Sequence, residues 1–376
     1  MQKLIVSIFA ILVLYAVPFA QSGRRSDPRP SPSPVASPTE DPDRYSESVQ
    51  QPRRVRRTPA AATTTPARPS QTVGDDDVVR VETNLVTIPV SVYDRNGLYI
   101  PGLRKENFVI FEDGVEQEIA YFGVSDKPIT VVLVIDVSPS TEYRIEDIIR
   151  AAKSFVSLLE LHDSVAVVEF DQNIRVRTKA TTDRAKIFDA IDKARFGNGT
   201  SLYNAVDEAL RKQLGKVEGR KAVILFTDGV DTTSRKNSYD STLDYAEESD
   251  SLVFPIYYNT YMDNRRRIGS PFPGVLGDIM TPRGTTAQEY ALGRRYLDEI
   301  AAATGGRVFR PESTPGGLVR AFEGIAEELR RQYNIGYIPK TEGTPGQRKQ
   351  IKVRVNRPNL VIRARDSYIV GSQIGN

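Results

Sequence analysis

The chain changes its hydrophobic pattern along its length. From about residue 78, apolar positions alternate with polar ones. Val86, Ile88, Val90 and Val92 fall on one side of an extended chain, the period-two pattern of a half-buried strand. Asn96-Gly97 follows as a hairpin signal, because a tight hairpin turn needs φ > 0. Phe108 to Phe111 then runs into Asp113-Gly114, and Val115 to Phe122 runs away from it, which predicts a second hairpin.

The middle of the chain reads differently. Val131 to Ile135, Val165 to Val168 and Ala222 to Phe226 are unbroken apolar runs, as in strands covered on both faces of a parallel sheet. Val253 to Tyr257 is a fourth. Pro255 is expected at its first paired residue, where a missing N–H is tolerated. Val308-Phe309 is a further short strand. Between them apolar residues recur at helical spacing: Ile145 to Leu159, Phe188 to Ala194, a helix over 201–214, another over 288–303 ended by Gly305-Gly306, and a last one carrying Leu318, Phe322, Ile325 and Leu329. Such alternation predicts an α/β fold with a doubly wound, mostly parallel, Rossmann-like sheet over 128–332. The end of the chain returns to period two at Tyr333 to Ile338, at Ile351, Val353 and Val355, and at Leu360, Ile362 and Ala364. Neither the β block at 78–127 nor that at 333–376 is large enough to close a core alone. The expectation is one small β-sandwich built from N- and C-terminal strands, with the α/β unit inserted into it.

The first residues have the form of an export signal over 1–22: Lys3, the apolar run Leu4 to Val17, and small residues at Ala20 and Ser22. The run is short for a spanning helix, so cleavage leaves no transmembrane segment, and retention leaves an anchor. Residues 23–77 are expected to be a disordered linker. Residues 21–73 hold ten prolines, nine arginines and no lysine, and almost nothing that could offset the entropy of ordering them. Arg53, Arg54, Arg56 and Arg57 offer a weak surface contact for anionic lipid or polysaccharide, against the plainer reading of a solvated tether.

Composition narrows the chemistry. Of 376 residues, 39% are hydrophobic and 26% charged, with a mean hydropathy of −0.37, which excludes a multi-span membrane protein. Lysine and arginine number 51 against 48 aspartates and glutamates, too even a balance to argue for a nucleic-acid partner. There is no cysteine, and His162 is the one histidine. Thiolate and histidine-rich metal sites are excluded, and any bound ion must be a hard cation held by oxygen: Mg²⁺, Mn²⁺ or Ca²⁺.

Three oxygen-bearing motifs fall at strand ends, where open α/β sheets bind ligands. Asp136-Val137-Ser138-Pro139-Ser140 follows the 131–135 strand, Asn198-Gly199-Thr200 precedes the 201–214 helix, and Thr227-Asp228-Gly229 follows the 222–226 strand. In a parallel sheet these loops converge on one rim, so one metal ion could be held by Asp136, Ser138, Ser140, Thr200 and Asp228. The alternative is that these are ordinary loop and capping residues. Other candidates are weaker: Asn198-Gly199-Thr200 is also a glycosylation sequon, His162 sits in a helix-to-strand turn, and Asp75-Asp76-Asp77 reads as a solvated charge run. There is no phosphate-binding glycine loop, and Ser138 stands where an aspartyl-phosphate phosphatase needs a second aspartate.

The motif order over about 128–332 resembles the von Willebrand factor type A (VWA) domain and its metal-ion-dependent adhesion site. Asp136, Ser138 and Ser140 match the family's D-x-S-x-S, Thr200 its lone threonine and Asp228 its later aspartate. Pro139 departs from the usual glycine and Thr141 from the usual methionine. The flanking β blocks, with Tyr337-Ile338-Pro339 and Arg363 to Tyr368, are similar to secreted acidobacterial-type VWA-related proteins. The resemblance implies a bound Mg²⁺ that captures an Asp or Glu side chain from a protein or matrix partner. It implies an adhesive, non-enzymatic module, secreted or held in the periplasm or cell envelope. A metal-dependent hydrolase or phosphoryl-transfer enzyme, and a structural envelope component, are the alternatives. The long segment 258–287, with Arg265, Arg266 and Arg267, leaves from the same rim and is expected to shape partner choice, the alternative being a floppy insertion.

Overall fold

The computed structural model describes residues 44–49, 85–124, 127–140, 145–258, 286–312 and 316–371. The signal segment, most of the 23–77 stretch and nearly all of 258–287 lie outside them. In chain order the strands and helices are β1 (Ser46–Glu47), β2 (Val86–Asp94), β3 (Phe108–Glu112), β4 (Val115–Gln117), β5 (Ile119–Val124) and β6 (Ile129–Asp136). Then come α1 (Ile145–Leu158), β7 (Ser164–Phe170), β8 (Ile174–Thr181), α2 (Arg184–Asp192), α3 (Leu202–Asp207), β9 (Arg220–Thr227), α4 (Tyr239–Glu248) and β10 (Leu252–Tyr257). The chain closes with α5 (Ala287–Thr304), α6 (Gly317–Arg330), β11 (Tyr333–Tyr337), β12 (Arg348–Val355), β13 (Leu360–Arg363) and β14 (Ser367–Ile369).

The central sheet has the order β10-β9-β6-β7-β8. Its first four strands are parallel, and β8 returns antiparallel to β7 at one edge. Because both faces are covered, its strands are apolar throughout: residues 131–135 of β6 and 222–226 of β9 are all buried. One face packs on α1 and α6 through Phe155, Phe322, Ile325 and Leu329, and the other on α3, α4 and α5 through Leu202, Ala246, Tyr296 and Leu297. Each such side chain contributes roughly 1.5–3 kcal/mol by leaving water.

The remaining strands form two further sheets, β1-β12-β3-β4 with β14 beside β12, and β13-β2-β11-β5. Their inner residues, among them Val90, Ile110, Tyr333, Ile335 and Val353, share one apolar cluster. The C-terminal β11 lies between β2 and β5, so the two ends of the chain interleave. Val124 pairs with Tyr333, which puts the entry to the central unit and the exit from it on neighbouring strands.

Several local expectations change. The stretch expected to be disordered over 23–77 contains a docked segment, because Ser46 to Ser48 pair with β12. Pro255 is not the first paired residue; it faces Leu225 in mid-strand. It is tolerated because β10 is an edge strand and the Pro255 carbonyl accepts from Phe309 N–H on the outer side. Its nitrogen points the same way, so no bond to β9 is lost. The helix expected over 201–214 is α-helical only to Asp207 and widens into π turns over Glu208–Gln213. The second hairpin closes through Asp113 and Gly114, both at positive φ. Its return strand breaks after Gln117, and β5 crosses to pair with β11. Val308-Phe309 is reduced to a single bridge between Ile256 and Phe309.

Candidate functional site

The apolar core of β6 ends at Asp136, and its parallel neighbour β9 ends one residue before Asp228. Buried hydrocarbon runs to Ile135 in β6 and to Phe226 in β9, and a carboxylate follows at Asp136 and, after Thr227, at Asp228, so both acids emerge at the sheet's carboxyl rim without reaching solvent. Asp136 is 0% exposed and Asp228 2%. The loop after β6 is pinned on both sides: Val137 N–H donates to Phe170 O, and Gly197 N–H donates to Val137 O.

The contacts within the site are short. Ser138 N–H donates to Asp136 Oδ1 at 2.9 Å, and the Thr227 hydroxyl to Asp136 Oδ2 at 2.7 Å. The Ser138 and Ser140 hydroxyl oxygens lie 3.0 Å apart. Val230 N–H donates to Asp228 Oδ1 at 3.1 Å, and the Tyr290 hydroxyl faces Asp228 Oδ2 at 3.5 Å. Burial, followed by the charge of Asp228, pushes the Asp136 carboxyl up to about 7. Ser138 and Thr227 oppose that rise by hydrogen bonding to its ionised form.

Asp136, Ser138 and Ser140 therefore meet directly, and Asp228 joins them through charge. Thr200 is buried, but its hydrogen bonds are made by its backbone: its N–H donates to the Thr232 hydroxyl at 2.9 Å, and its carbonyl accepts from Thr232 and Thr233 N–H. That leaves its hydroxyl without a partner among the described residues. Pro139 is exposed. Exposed His162 contributes nothing to the site; the buried residue of its turn is Asp163, which caps the Ile129 and Glu160 N–H groups.

Thr227 and Tyr290 make two contacts at the candidate site that the pattern of residues does not single out. Thr227 lies inside a motif chosen for its aspartate. Tyr290 arrives from the first turn of α5, whose start is fixed by a capping box between Thr286 and Glu289. Helix α5 approaches closely because two glycines meet. A Cβ on Gly293 would sit 2.4 Å from Gly229 O, and Gly229 itself is at φ +82°.

All donors at the rim are oxygen atoms, two of them on carboxylates, which suits a hard cation better than a soft one. Among the described residues no group of three or more His, Cys, Asp or Glu side chains gathers. A cation here would therefore be bound by two carboxylates supplemented by hydroxyls and water. The fit is favourable on one count in particular: a positive charge would offset the repulsion and burial that raise Asp136.

Residues 131–230 match the family model described as von Willebrand factor type A domain. The matched stretch runs from β6 past β9 and takes in every residue of the site except Tyr290. Among solved structures, similarity extends to BatB from Bacteroides thetaiotaomicron, at 17% identity and TM-score 0.40, over 54% of this chain and 99% of that one. It extends to the type V pilus tip protein Mfa5 from Porphyromonas gingivalis, at 16% identity and TM-score 0.41, over 58% of this chain and 98% of its von Willebrand domain structure. A von Willebrand factor type A protein from Catenulispora acidiphila is similar at 13% identity and TM-score 0.41, over 79% of this chain and 77% of that one. No curated protein matches the chain.

Proposed function

We propose that this protein is an exported adhesive module that binds a protein or matrix partner through a divalent cation, Mg²⁺ in the first instance, with Mn²⁺ or Ca²⁺ as substitutes. Asp136, Ser138, Ser140, Thr200 and Asp228 would hold the ion. One observation carries the reading. Two carboxylates, 0% and 2% exposed, lie close enough to repel at the rim where a pair of serine hydroxyls meets at 3.0 Å. An arrangement of this kind is costly without a compensating positive charge.

The donor set explains why such an ion would face outward. Hydroxyls are neutral, and two carboxylates cannot complete an octahedral oxygen shell, which Mg²⁺ otherwise fills with water. Bound there, the ion would supply a positive charge with exchangeable positions, suited to an incoming Asp or Glu. The residues of this chain orient the acids and exclude bulk water behind them, and half-buried Ser140 is the most exposed of the five donors. The reading needs no catalytic step, and it places the protein outside the cytoplasm, in the envelope or secreted.

The test is affinity capture from envelope extract with the full chain and with Asp136→Ala, each with Mg²⁺ and with a chelator. A partner retained only by the wild type in Mg²⁺ supports the reading. A partner retained equally by both proteins in chelator refutes it, and turnover of a phosphate ester would move the site to the hydrolytic alternative.

A further inference from the structure

The short strand β1 carries an inference independent of the cation site. Its strand partners among the described residues come from the far end of the chain. Ser46 pairs with Val355 and Glu47 with Arg354. The Ser46 hydroxyl donates to Arg357 O at 2.8 Å and accepts from Leu360 N–H at 2.9 Å. Ser48 repeats the arrangement, its N–H donating to Val353 O at 2.8 Å and its hydroxyl accepting from Val353 N–H at 3.0 Å. Between them Glu47 meets Lys352 and lies 2.9–3.0 Å from the Arg354 guanidinium, which also covers the Tyr45 ring at 4.0 Å. Ser46 and Ser48 are buried, whereas Val49 is 80% exposed.

This is a reading groove on the open edge of β12. Two hydroxyls replace part of the backbone ladder, and an acid between them is matched by two cations. β14 covers the same strand only over Arg348–Gln350. Without β1 the edge at Val353–Val355 would be open, and open edges recruit other strands. Nothing in the docking depends on how β1 is connected: β2 begins only at Val86. A peptide of the intervening length reaches at most roughly 120 Å. The same contacts are therefore available to Tyr45–Ser48 of a neighbouring copy.

We propose that β1 is an exchangeable strand, and that two copies of this chain join by swapping it reciprocally onto each other's β12 edge. In dilute solution covalent linkage favours each chain's own strand, because it raises that strand's local concentration. Crowding of copies favours the swap, since it makes the same contacts at little extra cost.

Charge reversal tests it. Full-length E47R has a strand mismatched to its own groove, and K352E/R354E has a groove mismatched to its own strand. Each is predicted to be a monomer alone. Mixed at equal concentration in chelator, they satisfy both grooves only in trans, and light scattering is predicted to show a doubling of mass. The triple variant E47R/K352E/R354E restores the match within one chain and is predicted to stay monomeric with melting restored towards wild type. A mixture that stays monomeric while the triple variant recovers overturns the proposal. Should the triple variant not recover, a labelled peptide of residues 42–51 decides. Saturable binding to full-length E47R, at least tenfold weaker on K352E/R354E, supports exchange, and no binding up to millimolar peptide overturns it.

Discussion

Gly293→Ala tests whether α5 positions the site loop. The added Cβ would lie 2.4 Å from Gly229 O and 2.6 Å from Gly229 C, both backbone atoms. No side chain can rotate away to make room, so helix and loop must part by roughly 1 Å to regain an ordinary contact. Overpacking of this kind typically costs about 1–3 kcal/mol. For a unit of this size each kcal/mol lowers the melting temperature by about 2–4 °C, which predicts a drop of roughly 2–12 °C. The same displacement draws Tyr290 away from Asp228 and shifts the loop between Thr227 and Val230, so cation affinity should fall as well. Thermal melts of wild type and variant, with chelator and with Mg²⁺, measure both effects. An unchanged melting temperature in chelator would falsify the close-packing argument. A lowered melting temperature with an undiminished Mg²⁺-induced rise would show that α5 supports the fold but does not position the site.

Three other outcomes follow from buried polar groups. Asp136 titrates higher in the folded protein than in the unfolded chain, so between the two values the folded state holds the extra proton. Cation-free stability should therefore fall as pH rises from about 4 to 7, by up to a few kcal/mol; urea denaturation in chelator at pH 5 and pH 8 measures it, and equal stability contradicts it. Asp136→Asn should flatten that dependence. Asp163→Ala removes the acceptor for the Ile129 and Glu160 N–H groups and should cost about 2–3 kcal/mol in denaturant midpoint analysis; a loss under 0.5 kcal/mol would show that water replaces the cap. Glu112 accepts from the Tyr337 and Tyr368 hydroxyls and pairs with buried Lys349. Glu112→Ala should destabilise by about 3 kcal/mol or more, and a near-neutral change would mean that Asp113 alone holds the lysine.

What the sequence reveals depends on how local the physics is. β6, β7, β9 and β10 are legible because a strand buried on both faces must be apolar at every position. The edge strand β8 is not, since Ile174–Thr181 is half exposed and carries Arg175, Arg177 and Lys179. Helix α4 is likewise hidden, with only Thr242 and Ala246 buried. β1 is the extreme case. Its fixation comes from hydroxyls and an ion pair reaching strands some 300 residues later, and nothing in Ser46-Glu47-Ser48 marks it off from the polar stretch around it. At the candidate site, Asp136, Ser138, Ser140 and Asp228 stand out because they fall within five residues of the end of an apolar run. The Tyr290 contact spans 62 positions and depends on the approach of two glycines, which no local pattern encodes.

The central claim is that the rim acids hold a divalent cation. Calorimetric titration of Mg²⁺ into chelator-treated, dialysed full-length protein tests it most directly, with Asp136→Ala alongside. The account predicts one saturable site in the wild type, lost in the variant, with a matching rise in melting temperature. No heat and no stabilisation in the wild type at millimolar Mg²⁺, Mn²⁺ and Ca²⁺ would contradict it.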